Sequence, residues 1–284
     1  MSSVFAADWL SLREPLDHQS RSAALLRRLN GRLNPGQGPV LDLGAGHGSN
    51  LRYLAPRLPA CDHWLLLDQD ARLLATAAQG LPELAPIRPA IETRALNLTR
   101  LPQLELPRPS LVTASALIDL ASADWLDALA QRCRDWQVPV LIALSVDGRR
   151  GFIDQDGNAV VDKLDETCRI AFNRHQCQSK GLGWGKALGP EAVTALKKAL
   201  ERRGFHVELA ASDWRIAADT DQARGLGRAL LEDWHQAVAD TGQLDSRELA
   251  TWLRMRRAAL ATGQLGLVVG HQDLLALPSG PGHS

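Results

Sequence analysis

The most informative stretch of this chain is the run VLDLGAGHG, in which an acid precedes three alternating glycines: Asp42, Gly44, Gly46 and Gly48. A short apolar strand over 39–44 leads into these glycines, and a helix follows them. Glycines let the backbone turn sharply here and approach a ligand without an intervening Cβ. The carboxylate of Asp42 favours a ligand with positive charge, because it would repel a pyrophosphate. The run therefore indicates the binding of a cationic cofactor.

A second acid, Asp68, ends the apolar strand HWLLLD over 63–68 and follows Gly48 by twenty residues. A carboxylate at this spacing can accept hydrogen bonds from both hydroxyls of a ribose. The dinucleotide fingerprint G-x-G-x-x-G/A has a glycine or alanine where this chain has Ser49. The two acids therefore predict a nucleoside-containing cofactor, and Ser49 together with Asp42 disfavours NAD.

Through these motifs the chain resembles the class I S-adenosylmethionine-dependent methyltransferases over roughly residues 10–145. In that family the first motif is an acid followed by G-x-G-x-G, and the second is an acid that ends the second strand. The third motif usually carries an acid that contacts adenine, and this chain has Asn97 and Leu98 there. The fourth motif corresponds to ASALIDLAS, a segment that borders the methyl-transfer site in the family.

The resemblance implies S-adenosylmethionine as the cofactor and S-adenosylhomocysteine as its product. Asp42 and the glycine loop would hold the methionine part, Asp68 the ribose, and Asn97 with Leu98 the adenine. The complete set of predicted cofactor-binding residues is Asp42, Gly44, Ala45, Gly46, Gly48, Asp68, Gln69, Asn97, Leu98 and Ser115.

Three residues are candidates for the general base that methyl transfer to a weakly acidic oxygen or nitrogen needs. Asp119 follows the fourth strand, where the resemblance places the acceptor; its alternative role is to cap the next helix. His175 lies near the end of a predicted helix over 160–176; its alternative is a solvated helix end, where the dipole favours positive charge. His47 lies in the glycine loop; its alternative is to fill space beside the cofactor.

Two basic residues are candidates for contacts with the acceptor. The predicted helix over 160–176 is flanked by glycine-rich turns and can fold over the site as a lid, which would bring Lys180, just after it, to an anion. The alternative for Lys180 is again a solvated helix end. Arg13 lies in DWLSLREPLDHQSRS, together with Trp9 and Arg21. That stretch is similar to the helical caps that cover the cofactor in this superfamily. The alternative for Trp9, Arg13 and Arg21 is simple packing.

Short apolar runs alternate with amphipathic stretches along the chain, which predicts an α/β fold. We predict a Rossmann-like, seven-stranded, mostly parallel sheet with helices on both faces, an N-terminal helical cap over 1–34 and a helical insertion before the last strand. The methyltransferase domain would cover 35–284, with insertions at about 147–188 and 219–263. A turn-rich loop or small hairpin is expected after the fifth strand. The predicted strands cover 39–44, 63–68, 92–98, 110–117, 138–146, 205–216 and 265–277.

The composition limits the classes of partner. Acidic and basic residues number 32 each, which disfavours nucleic acid, and no N/D-P-P-Y/F segment follows the fourth strand. The four cysteines form no CxxC pair, so we expect no metal site and a reduced, cytoplasmic protein. No apolar run reaches the roughly 18 residues of a membrane span. The helical insertion either shapes the pocket or forms a homodimer interface.

The sequence thus predicts a methyltransferase that acts on an oxygen or nitrogen atom of a small molecule. The alternatives are an NAD(P)-dependent oxidoreductase on a Rossmann fold and a non-catalytic protein that binds S-adenosylmethionine. The acceptor stays open, because the fold alone does not choose it.

Overall fold

The computed structural model describes residues 7–79, 89–178, 181–217 and 219–279. The helices are α1 (Ala7–Ser20), α2 (Ala23–Asn30), α3 (Ser49–Leu54), α4 (Ala71–Gln79), α5 (Ala123–Trp136), α6 (Lys163–Gln176), α7 (Ala192–Glu201), α8 (Asp221–Asp240) and α9 (Ser246–Ala261). The strands are β1 (Val40–Leu43), β2 (His63–Asp68), β3 (Ala90–Ala95), β4 (Leu111–Ser115), β5 (Val140–Ile153), β6 (Ala159–Val160), β7 (Phe205–Ala211), β8 (Trp214–Ile216) and β9 (Gly266–Pro278). Within the described ranges, no helix is both long and apolar enough to cross a membrane.

The strands form one sheet in the order β3-β2-β1-β4-β5-β9-β7. The first five strands in this order are parallel, and β9 runs antiparallel to both β5 and β7. The short strands β6 and β8 pair with β5 and β9. The predicted seven-stranded, mostly parallel sheet is confirmed, and two short antiparallel strands extend it.

The apolar runs in the central strands are continuous because helices cover both faces of the sheet. Alternate residues point to opposite faces. Leu41 and Leu65 belong to the core that α5 and α7 cover, whereas Val40 and Trp64 belong to the core under α2, α3 and α4. The carboxyl ends of these strands therefore stand at one edge of a rigid layer, where they can hold polar side chains in place.

A third core lies among α6, α8, α9 and the far end of β5. The indole rings of Trp234 and Trp252 pack against Phe152, with ring centroids 6.0 and 6.4 Å apart. The exposed fractions of Trp214, Trp234 and Trp252 are only 3–5%. The helical insertion predicted before the last strand is confirmed as α8 and α9, and its tryptophans are core residues.

The strand predicted over 138–146 differs most from the structure. β5 continues past 146 to Ile153, because residues 150–153 pair with β9. The ladder is irregular there, and Gly148 at φ 83° allows the strand to bend. Phe152 and Ile153 pair with β6 in an antiparallel arrangement. Of the two structures expected after the fifth strand, a turn-rich loop or a small hairpin, the structure therefore has the hairpin.

Strand 205–216 is interrupted at residues 212 and 213, although β7 and β8 keep one register along β9. β3 covers Ala90–Ala95 rather than 92–98, because Asn97 starts a 3₁₀ turn over Leu98–Gln103.

Candidate functional site

The glycine loop joins β1 to α3 and has the backbone conformation that its glycines allow. Gly44, Gly46 and Gly48 have φ values of 66°, 53° and 89°. A Cβ on Gly44 would lie 2.7 Å from Cδ1 of Leu117, and one on Gly48 would lie 2.9 Å from Cβ of Ala77. A side chain at either position would force a neighbour to shift, so the loop lies tightly between the segment after β4 and helix α4.

The loop lies at the topological switch point of the sheet, since β1 pairs with both β2 and β4. Ligands of open α/β sheets bind at this point, outside the carboxyl ends of the strands. The carboxylate of Asp68 accepts the amide of Gly46 at 2.8 Å and that of Asp70 at 2.9 Å. Because a carboxylate has about four acceptor positions, Asp68 can accept two further hydrogen bonds. The structure thus brings two predicted cofactor residues, Gly46 and Asp68, into contact.

Other predicted cofactor residues surround this contact. The amide of Ala45 donates to the carbonyl of Leu67 at 3.0 Å, which ties the loop to β2. Gln69 follows Asp68 with an exposed side chain. Ser115 ends β4 beside Ala143 of β5 and is half-buried.

Asp42 lies beneath the loop with a completely buried side chain. Its Oδ1 accepts the amide of Asn50 at 2.8 Å, and the carbonyl oxygen of Asn50 accepts Arg21 at 3.0 Å. Its Oδ2 is enclosed and has no hydrogen-bond partner within the described residues. Burial raises the pKa of Asp42 to about 7, against the opposing effects of Asn50 and Arg21. The loop therefore covers a carboxylate whose second oxygen has no donor among the residues that the structure describes.

The predicted adenine residues follow β3. The side chain of Asn97 is exposed and accepts the amide of Thr99 at 2.9 Å, so it caps the 3₁₀ turn. Leu98 is buried, and its carbonyl accepts the indole of Trp125 at 2.7 Å. Trp125 therefore fixes the backbone of the predicted adenine segment from the core side.

The segment after β4 contains the candidate base Asp119, which is half-buried in a 3₁₀ turn over Ile118–Leu120. The N-cap position of α5 belongs to Ser122, three residues after Asp119. The glycine-rich segment after α6 runs alongside this turn, since the amide of Leu182 donates to the carbonyl of Leu120 at 3.0 Å. Lys180 lies outside the described residues.

The candidate base His175 lies in the last turn of α6 and is half-buried. Its Nε2 is 3.8 Å from Oδ2 of Asp240, at the end of α8. The structure thus places this ring where α6 packs against α8, and its role as a base stays a prediction.

Helix α1 lies over the glycine loop and is held there by Glu14. The carboxylate of Glu14 accepts Nε of Arg52 at 2.7 Å and lies 3.0 Å from Nε2 of His47. Burial alone would raise the pKa of Glu14, but Arg52 and His47 outweigh it and lower the pKa to about 2. Leu10, one turn earlier, is 3.7 Å from the position that a Cβ on Gly46 would take. The candidate base His47 is therefore engaged by the helix that covers the loop.

The predicted acceptor residue Arg13 also lies on α1. Its Nε donates to Asp17 at 2.8 Å, and its guanidinium lies 5.4 Å from the centre of the Trp214 ring. Asp17 is almost completely buried, and burial raises its pKa.

The sequence alone did not identify Glu14 or Asn50 as site residues. Asn50 carried one usable signal, because it is a polar residue in the first turn of the helix that follows the glycine loop. Glu14 carried none, since it lies 38 positions before Arg52 in the sequence.

The comparisons with known proteins find similarity in structure only. No protein-family model matches the chain, and no curated protein matches it. The cyclopropane synthase MmaA2 from Mycobacterium tuberculosis is 14% identical, with 96% of this chain and 94% of that chain covered and a TM-score of 0.48. The YcgJ protein from Bacillus subtilis is 11% identical, with 93% of this chain and 100% of that chain covered and a TM-score of 0.49.

A phosphoethanolamine N-methyltransferase 2 from Haemonchus contortus, in complex with phosphomonomethylethanolamine and S-adenosylhomocysteine, is 13% identical, with a TM-score of 0.45. The alignment covers 95% of this chain but only 57% of that chain. At these values the similarities establish no activity.

Proposed function

We propose that this chain is an S-adenosylmethionine-dependent methyltransferase that transfers a methyl group to an oxygen or nitrogen atom of a small molecule. The observation that carries the proposal is the contact between the Asp68 carboxylate and the Gly46 amide at the switch point of the sheet. It joins the two motifs on which the resemblance to class I methyltransferases rests.

The residues present fit S-adenosylmethionine. This cofactor carries an ammonium and a sulfonium, and the enclosed Oδ2 of Asp42 lacks a hydrogen-bond donor within the described residues. The two acids Asp42 and Asp68 interact electrostatically, and bound positive charge would relieve their repulsion. We assign Asp42 and the loop to the methionine part, Asp68 to the ribose, and Asn97 with Leu98 to the adenine.

The cofactor supplies an activated methyl group, so the chain mainly has to orient the acceptor and exclude water. Helix α1 would exclude water, since Leu10 and Glu14 hold it over the loop. Asp119 is our first candidate to accept a proton from the acceptor at its carboxylate, because it follows β4 at the carboxyl edge of the sheet. His175 is the second candidate.

A nicotinamide-dependent oxidoreductase is the alternative, because an acid after the second strand also suits the ribose of NAD. Asp42 weighs against it, since a pyrophosphate on this loop would lie close to a buried carboxylate.

The test is calorimetric titration with S-adenosylmethionine, S-adenosylhomocysteine and NAD on the wild type, Asp68→Ala and Asp62→Ala. Asp62 is an exposed acid just before β2, at the opposite end of that strand, so its removal controls for lost charge. We expect adenosyl ligands to bind the wild type and Asp62→Ala, and Asp68→Ala to bind them at least tenfold more weakly, a loss of about 1.4 kcal/mol.

Binding of NAD without binding of either adenosyl ligand would overturn the proposal in favour of the oxidoreductase. Tight binding of S-adenosylmethionine without methylation of any component of a cell extract would identify a non-catalytic binding protein.

A further inference from the structure

Arg150 lies in the far part of β5, among the aromatic residues of the third core. Its guanidinium carbon is 3.5 Å from the centre of the Phe172 ring and 4.8 Å from that of Trp234. Its Nε and Nη1 are enclosed, and neither has a hydrogen-bond acceptor within the described residues. An arginine is thus held between two rings, and two of its nitrogen atoms lack an acceptor in the part of the chain that the structure describes.

Such an arrangement is costly, because an enclosed donor that leaves water without a new partner loses about 1–3 kcal/mol, and more when it is charged. Burial lowers the pKa of Arg150 to about 9, while Asp233 and Asp119 oppose that decrease. Arg150 therefore remains charged at neutral pH. The two acids balance part of its charge but do not occupy Nε or Nη1.

A small cavity borders Arg150. Its volume is about 10 Å³, and Phe152, Asp165, Phe172, Trp234 and Trp252 contribute to its wall. Asp165 does not serve Arg150, because its oxygens accept Arg256 at 2.9 and 2.7 Å and the indole of Trp252 at 2.7 Å. The space suits a single oxygen atom, either of a water molecule or of an oxyanion.

A second arginine adds positive charge nearby. The pKa of His271 in β9 is lowered to about 3. Burial is the largest cause, the charge of Arg13 is the second, and the charge of Arg150 acts in the same direction. His271 is therefore neutral at physiological pH, and two arginines lie within electrostatic reach of it. Arg150 is also within electrostatic reach of Asp119, the candidate base. The strand β5 also contacts the 3₁₀ turn over Ile118–Leu120 that contains Asp119, so this positive region adjoins the proposed acceptor side.

We propose that the acceptor carries an oxyanion, a carboxylate or a phosphate, and that Arg150 between Phe172 and Trp234 binds this group. A guanidinium stacked on aromatic rings keeps its N–H groups in one plane, which matches the planar recognition of such oxygens. The inference rests on the proposed function for the reaction, and on the enclosed donors of Arg150 for the chemical class of the acceptor.

The test uses four probes of similar shape and different charge: phenylacetate, phenyl phosphate, 2-phenylethanol and phenethylamine. Each is titrated into protein saturated with S-adenosylhomocysteine, for the wild type, Arg150→Met, Arg150→Lys and Arg215→Met. Arg215 is an exposed arginine of β8, so its variant removes the same charge away from the cavity.

For the wild type and Arg215→Met, we expect one of the two anions to bind at least tenfold more tightly than the alcohol, with the amine weakest. Preference between phenylacetate and phenyl phosphate distinguishes a carboxylate acceptor from a phosphate acceptor. Arg150→Met should abolish the preference for anions, and Arg150→Lys should retain part of it.

Four results would overturn the inference and leave Arg150 with an internal water only. In the wild type these are equal binding of anion and alcohol, no binding of either anion at millimolar concentration, and tighter binding of the amine. The fourth is a preference for anions that survives Arg150→Met. The charge series on the wild type decides the question even if Arg150→Met does not fold. Titration of S-adenosylhomocysteine into each protein separates failure of this inference from failure of the proposed function. If the proposed function is wrong, the wild type does not bind S-adenosylhomocysteine.

Discussion

Replacing Asp42 with asparagine removes the charge beneath the glycine loop with little change in shape. The side chain is completely buried and, over the described ranges, accepts one hydrogen bond, from Asn50. An asparagine oxygen can accept the same bond, so Asp42→Asn removes the ionisable group and keeps that contact. We expect the variant to change how both stability and cofactor affinity depend on pH.

The expected change in stability follows from the pKa of Asp42, which burial raises from 3.8 to about 7. Between these values the unfolded chain is ionised at Asp42 while the folded chain keeps its proton. The free energy of unfolding therefore falls as pH rises, by about 1.4 kcal/mol per pH unit. The contribution of Asp42 is fully present below pH 3.8 and is lost as pH rises through 7. Between pH 5 and pH 8 the wild type should lose about 3 kcal/mol that Asp42→Asn retains.

Cofactor affinity should show the opposite dependence on pH. The ionised form of Asp42 attracts a cation and the protonated form does not, so affinity for S-adenosylhomocysteine should rise from pH 5 to pH 7, by up to about tenfold per unit. Asp42→Asn should bind this ligand at least tenfold more weakly at pH 8 and lose the pH dependence. The carboxylate would then serve binding at the expense of stability.

Urea unfolding of the ligand-free proteins at pH 5 and pH 8, with calorimetry under the same buffers, measures both effects. Asp62→Asn is the control, because Asp62 is exposed and its variant should follow the wild type throughout. If the free energies of unfolding of wild type and Asp42→Asn differed by the same amount at both pH values, Asp42 would not have a raised pKa. If Asp42→Asn bound the ligand as tightly as the wild type at pH 8, the proposed role of Asp42 toward the methionine part would be wrong.

Three further changes test the loop, the covering helix and the adenine segment. Gly44→Ala and Gly36→Ala both place alanine at a positive φ, which costs about 1–2 kcal/mol of stability. Only the alanine at position 44 would also meet Leu117, so urea unfolding should show a larger loss of stability for Gly44→Ala than for Gly36→Ala. Adding Leu117→Ala to Gly44→Ala should restore part of that stability. Equal losses would contradict the tight contact. Glu14→Gln should reduce the free energy of unfolding at pH 7 by about 2 kcal/mol, allowing for partial exposure of the ion pair. The difference in stability between wild type and variant should narrow as pH falls through 4.5 toward 2, because only the ionised form of Glu14 contributes the stabilisation. A difference that did not depend on pH would exclude this ion pair as the cause. Trp125→Phe removes the hydrogen bond to the Leu98 carbonyl and should weaken S-adenosylhomocysteine binding by about fivefold, or about 1 kcal/mol, in calorimetry. Unchanged affinity would argue against adenine at this segment.

Much of the fold could be predicted because its signals are local. Each central strand is an apolar run bounded by turn residues, and each helix repeats apolar residues at helical spacing. The contact between Gly46 and Asp68 is non-local, yet it could be expected, because the carboxyl ends of parallel strands meet at one edge of the sheet. The bounds of β5 could not be predicted, because its continuation depends on pairing with β9, more than a hundred residues later.

The sequence by itself determined the parallel sheet, the glycine loop and the two acids at its switch point, because residue type and short spacing dictate these features. The tertiary structure alone decided which side chains surround them. Glu14 reaches the loop only because α1 folds across it, and Arg150 meets Phe172 and Trp234 only because α6 and α8 enclose the end of β5. Whether a polar side chain is buried, and what faces it, depends on elements distant in sequence, which no local pattern records.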